Sequence, residues 1–188
     1  GWPFVIDFTV TYALDGESGL TVTMEAANLG AGPCPFGAGA HPYVMVGSAG
    51  IDDLELTHPA STVYDTDDRS LPTGRRPVDA AVDFRGGRRI GDTRLDTAFT
   101  DLERDASGTA RVLLRRPGGP GSVEVWMDSA FTHLMLFTGD ALPDPERRRV
   151  SLAVEPMTCA PNALQTGDGL LVLEPGASWR GSWGIVPR

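Results

Sequence analysis

Lysine is missing from this chain, and all 16 basic residues are arginine. That absence removes Schiff-base and lysine general-base chemistry. Cysteine is nearly absent too: Cys34 and Cys159 are too few for a disulfide framework, lack CxxC spacing, and are expected as free thiols. Only three histidines occur, His41, His58 and His133, with no His-x-His or His-x₃-His spacing, so no metal is expected. Asp65, Asp67 and Asp68 lack the glycine and closing glutamate of a calcium loop. No Gly-x-Ser-x-Gly elbow or phosphate-binding glycine loop occurs. Positive charge is short: a net charge of -9 argues against nucleic acid or an anionic membrane as partner. No run approaches the ~20 apolar residues that span a bilayer. The opening Gly1-Trp2-Pro3-Phe4 has neither the features of a secretory leader nor an initiator Met. A cut or processed piece and a cytoplasmic location are the expectations.

Glycine (23) and proline (15) are abundant in the 188 residues and fall between short runs. That is the punctuation of an all-β chain with many turns. The length suits one domain over residues 1–188. In the first strand, Phe4, Ile6, Phe8 and Val10 alternate with Val5, Asp7, Thr9 and Thr11; Asp15 to Gly19 turn it, and Leu20 to Asn28 return. Further strands are expected over 51–57, 60–64, 111–115, 122–127, 131–138, 150–155, 170–173 and 178–185. Leu95 to Leu102 reads as one helical turn or an irregular strand, whereas 65–76 and 84–90 read as polar segment and loop. About a dozen strands without 3.6-residue periodicity predict a two-sheet β-sandwich.

Two stretches stand out. The run Val150 to Val154 delivers Glu155 to a strand end, where Pro156 is expected to stop the ladder. In Gly37-Ala38-Gly39-Ala40-His41-Pro42-Tyr43, small residues permit close approach and Pro42 restrains His41. His58, before Pro59, reads as surface loop, and His133 as a packed histidine. An imidazole and a carboxylate are general acid–base equipment. Tyr43, Phe99, Trp126, Trp179 and Trp183 are either sugar-stacking platforms or core.

Gly39-Ala40-His41-Pro42-Tyr43, Leu95-Asp96-Thr97-Ala98-Phe99, Val123 to Asp128, and Val154-Glu155-Pro156-Met157-Thr158 with Pro161-Asn162-Ala163 occur in this order. Leu173-Glu174-Pro175-Gly176 and Trp183-Gly184-Ile185 close the chain. Together they resemble the aldose 1-epimerase (galactose mutarotase) family. The resemblance implies an antiparallel β-supersandwich, here incomplete on its N-terminal side, with a free monosaccharide as substrate and no cofactor. It implies that His41 protonates the ring oxygen, Glu155 takes the anomeric proton from the opposite side of the ring, and Asp96 binds sugar hydroxyls, with Tyr43 and Trp126 as further sugar contacts. The family's N-terminal Asn-Arg motif and second histidine are not in these residues. Open sheet edges are then expected, with a homodimer or strand-swapped assembly to cover them. Two other readings stay open: a non-catalytic carbohydrate-binding sandwich, and a hexose-6-phosphate mutarotase using Arg85, Arg88 and Arg89 as a phosphate clamp.

Overall fold

Period-two alternation in Leu20–Asn28 gives a strand with Val22, Met24 and Ala26 buried on one face. In the computed structural model, which describes residues 2–47 and 49–188, this strand belongs to a seven-stranded sheet. Its order is β1 (Ile6–Asp15), β2 (Gly19–Asn28), β15 (Ser178–Pro187), β11 (Ser122–Met127), β10 (Ala110–Arg115), β5 (Glu55–Thr57) and β8 (Arg88–Arg89). A six-stranded sheet runs β4 (Tyr43–Val44), β13 (Leu152–Met157), β12 (His133–Phe137), β9 (Asp96–Leu102), β6 (Ala60–Thr66) and β7 (Pro72–Pro77). A small ribbon pairs β14 (Leu171–Leu173) with β3 (Cys34–Phe36). Neighbouring strands are antiparallel throughout. The predicted all-β antiparallel sandwich is the fold.

The main core lies between the two large sheets. Val22, Val112, Leu114, Val123, Val125 and Met127 from one meet Val63, Phe99, Leu134, Leu136, Leu152 and Val154 from the other. The first hairpin is closed by Asp15, whose Oδ1 accepts the N–H groups of Glu17 and Ser18 at 2.9 Å each. Strand β1 is an edge. Its apolar side chains share a face with the buried side of β2, yet Phe8, Tyr12 and Leu14 remain 47, 70 and 84% exposed. Among the described residues helix is confined to one turn, α1 (Ala163–Thr166), and a 3₁₀ turn at Pro145–Arg147.

Of its two readings Leu95 to Leu102 takes the irregular strand: β9 pairs with both β12 and β6, and Asp101 within it has a left-handed φ of 54°. Two other sequence expectations need correction. The stretches expected as polar segment and loop contain β7 and β8, edge strands built of proline, threonine, glycine and arginine with no apolar alternation to signal them. His58 is not at the surface but fully buried, its ring against Phe84 and Phe99. Its Nε2 donates to the Val82 carbonyl at 3.0 Å and its Nδ1 accepts the Ala60 N–H at 3.2 Å. Val82, Phe84 and Phe99 belong to segments that a local reading of His58-Pro59 cannot supply.

Burial holds His58 and His133 below the ordinary imidazole value. The unfolded chain takes up protons near pH 6.5 while the folded histidines stay neutral. Stability is therefore full above that value and falls as pH drops towards the folded values, by up to ~1.4 kcal/mol per pH unit for each histidine. Thermal denaturation should show Tm falling between pH 7.5 and 5.5, with a shallower fall in His58→Gln; an equal slope in the variant would refute the assignment.

Candidate active site

The strip from Gly37 to Pro42 lies along the free side of β13. The Ala40 N–H donates to the Pro156 carbonyl at 3.1 Å, and the Val154 N–H to the Pro42 carbonyl at 3.1 Å. Further along, the Thr158 N–H donates to the Ala38 carbonyl, and Ala38 N–H to Thr158 Oγ1, both at 2.9 Å. Small residues make this approach possible: a Cβ on Gly39 would stand 3.2 Å from the Pro156 carbonyl oxygen, and one on Gly37 2.7 Å from Cys159 Sγ.

Pro156 does not end the strand. It lies within β13, in register with Leu134 of β12. A residue's N–H and C=O point to the same side of a strand, and the Pro156 carbonyl faces the Gly37–Pro42 strip. The missing donor therefore falls on that side, where pairing is reduced to an isolated bridge between Gly39 and Met157, and the β12 ladder is intact.

This alignment brings His41 to Glu155, with Nε2 3.1 Å from Oε1. The glutamate side chain is 15% exposed and the imidazole 51%, so the carboxylate forms the floor and the histidine the rim. Tyr43 stands beside His41, ring centroids 4.9 Å apart. Burial raises the Glu155 pKa above the ordinary carboxylate value; His41 opposes the rise and the negative charge of Asp96 adds to it.

Asp96 reaches the same face through sheet register. Asp96, Phe137, Ala153 and Tyr43 form one cross-strand row, and Ala98, Met135 and Glu155 the next on that face. The two carboxylates thus stand two strands apart, about 10 Å laterally, a gap that a pyranose ring can bridge. His41 and Glu155 lie side by side in this arrangement.

Trp126 is not brought to this site. It alternates with core-facing Val125 and Met127, so it stands on the outer face of the seven-stranded sheet, its indole over Gly184 where no Cβ would fit. Arg85, Arg88 and Arg89 are also elsewhere. Arg85 pairs with Asp83, Arg88 covers the Phe84 ring at 3.7 Å, and Arg89 faces Asp53.

Sequence reading missed a brace behind the site. Tyr64 Oη donates to Asp168 Oδ2 at 2.7 Å and lies 3.0 Å from His133 Nε2, while His133 Nδ1 is 2.9 Å from Thr132 Oγ1. Arg75 lies over Tyr64 and 3.7 Å from Asp168. The brace anchors the loop after Glu155, with Ala160 packed on Tyr64 and Ala98. Only the strand alternation that puts Tyr64 beside Ala98 could have signalled it. A mainly apolar hollow of about 790 Å³, lined by Phe8, Phe36, Met157, Ala163 and Leu170 among others, adjoins the site through Gly39. Cys159 lines it and, like Cys34, is a free thiol. Among the described residues no group of three or more His, Cys, Asp or Glu could hold a metal ion, and no helix is long and apolar enough to cross a membrane.

A two-sheet antiparallel sandwich with an imidazole–carboxylate pair on one sheet face defines a class that the comparisons make specific. The family model for aldose 1-epimerase matches residues 1–185, and the chain belongs to that family. The curated protein YihR of Escherichia coli, itself described as uncharacterized, is 32% identical over 181 residues, covering 96% of this chain and 55% of that protein. Two solved structures share the fold. The GalM/aldose epimerase homologue from C. elegans has a TM-score of 0.84 at 18% identity, covering 100% of this chain and 61% of its own. A galactose mutarotase-like protein from Clostridium acetobutylicum has a TM-score of 0.83 at 18% identity, covering 100% and 57%. The chain thus spans little more than half the length of these relatives.

The electrostatics of the site can be read directly. In carbon-detected NMR titration Glu155 should titrate above 4.5, its ordinary value. Asp96→Asn should lower that pKa and His41→Ala should raise it; either shift in the other direction would show that the charges are arranged differently.

Proposed function

We propose that this site interconverts the α and β anomers of a free aldohexose by general acid–base opening and reclosure of the ring. The supporting observation is the His41–Glu155 contact at 3.1 Å, with Asp96 on the same face. Mutarotation removes a proton from O1 while another is delivered to O5, then reverses both transfers after rotation about C1–C2. O1 and O5 are bonded to one carbon, so a neighbouring acid and base suffice. Protonated His41 delivers to O5 as Glu155 takes the O1 proton, leaving neutral imidazole and carboxylic acid. On reclosure Glu155 returns its proton to the carbonyl O1 and His41 takes the proton back from O5, so both groups regain their starting states without a proton passing through bulk water. A raised Glu155 pKa makes its carboxylate a better base towards the O1 proton. Asp96 accepts hydrogen bonds from ring hydroxyls, and Tyr43 forms a wall beside His41. No step calls for a cofactor.

The rival readings fit less well. A binding module has no need of an acid touching a base. A 6-phosphate clamp by Arg85, Arg88 and Arg89 is disfavoured because all three are engaged with Asp83, Phe84 and Asp53.

Polarimetry on freshly dissolved glucose and galactose, using this chain, tests the reading. Glu155→Gln and His41→Asn should each lose at least 10²-fold in rate, the size of one acid–base contribution. Glu155→Gln should melt no lower than the parent at pH 7, since burial disfavours the ionised carboxylate that it removes. Retention of full activity by either variant would end the proposal.

A further inference from the structure

Asp96 is the last β9 residue paired with β12, opposite Phe137, and it is exposed. Strand ends fray unless something outside the ladder holds them. Here the hold begins one residue earlier. The Leu95 N–H donates to Thr138 Oγ1 and the Thr138 N–H to the Leu95 carbonyl, both at 2.9 Å. Thr138 Oγ1 in turn donates to the Asp140 carboxylate.

Asp140 is gripped by Arg149, whose Nη1 lies 2.9 and 3.0 Å from its two oxygens. The same guanidinium donates to the carbonyls of Thr93 at 3.2 Å and Gly91 at 2.7 Å, and its Nε to Asp52 at 2.6 Å. Arg149 itself precedes β13, the Glu155 strand, and holds a left-handed backbone with φ of 55°. Few arginines adopt that conformation without compensation. Its side chain is 18% exposed, so these bonds are made largely away from water, where a planar five-donor fork has its advantage over lysine.

We infer that Arg149 is a positioning residue for the reaction, clamping the approach to Asp96 against the approach to Glu155 so that both carboxylates meet one sugar ring. The inference rests on the mutarotase reading for its consequence, but the clamp itself can be measured without activity. Displacements of about 1 Å at a reacting group can lower rates by as much as 10²-fold.

The experiment compares the parent chain with Arg149→Met, Asp96→Ala and the double variant, at a temperature where all are folded by circular dichroism. Arg149→Met should lower kcat/KM for the aldohexose at least tenfold, and should add nothing in the Asp96→Ala background. Unchanged kcat/KM, or losses that multiply in the double variant, would overturn the inference. Amide exchange gives the second readout: the Leu95 and Thr138 amides should exchange at least tenfold faster in Arg149→Met while the Val154 amide is unchanged. A parent chain with no anomerisation would count against the mutarotase reading alone, and exchange then decides the clamp, unchanged Leu95 and Thr138 rates overturning it. Should Arg149→Met fail to fold, Asp140→Ala removes the central anchor and should give the same pattern.

Discussion

The site depends on one close approach: the Gly37–Pro42 strip lying against β13. Two backbone hydrogen bonds, from the Ala40 N–H to the Pro156 carbonyl and from the Val154 N–H to the Pro42 carbonyl, set the imidazole of His41 over the carboxylate of Glu155. Space at glycines 37 and 39 is tight, since a Cβ would stand 2.7 Å from Cys159 Sγ or 3.2 Å from the Pro156 carbonyl oxygen. Proline at 156 is tolerated because its missing donor faces this irregular strip and not the β12 ladder. The irregularity that a regular sheet would exclude is what opens a place for the imidazole beside the carboxylate.

Around that contact, sheet register distributes the other groups. Because side chains alternate along a strand, β9, β12 and β13 put Phe99, Leu134, Leu136 and Val154 into the core and Asp96, Met135 and Glu155 onto the opposite face. A one-residue slip would exchange the two sets. The packed core therefore enforces the register on which the site relies. At the margins the ladder runs out, and side-chain networks take over: Tyr64, His133 and Asp168 behind the loop after Glu155, and Arg149, Asp140 and Thr138 before Asp96. Polar groups in such half-buried networks hold position only when each finds its partner.

The chain belongs to the aldose 1-epimerase family and covers 55% of YihR and 57–61% of the two solved structures. The hollow beside Gly39 and the exposed face of Phe8, Tyr12 and Leu14 lie on one side of the molecule, where Phe8 belongs to both. That side is apolar, in contrast to the polar face of Glu155, Asp96 and His41.

Alternation in β2 and β11, the turn chemistry of Asp15 to Gly19, and the ordered motifs around His41, Asp96 and Glu155 were legible in the sequence, because each is a local pattern. The all-β class followed from them. Residues whose meaning depends on distant partners were not legible. His58 read as a surface residue until Val82, Ala60, Phe84 and Phe99 enclosed it. Trp126 read as a sugar platform until its strand proved to face outward from the far sheet. Arg149 had no local signature, since its five acceptors come from residues 52, 91, 93 and 140. The sequence by itself determined which side chains could do acid–base work and that they sit on strands or strand ends. Only the tertiary structure decided which of them meet, because long-range register and the close approach of two chain segments are absent from any local pattern.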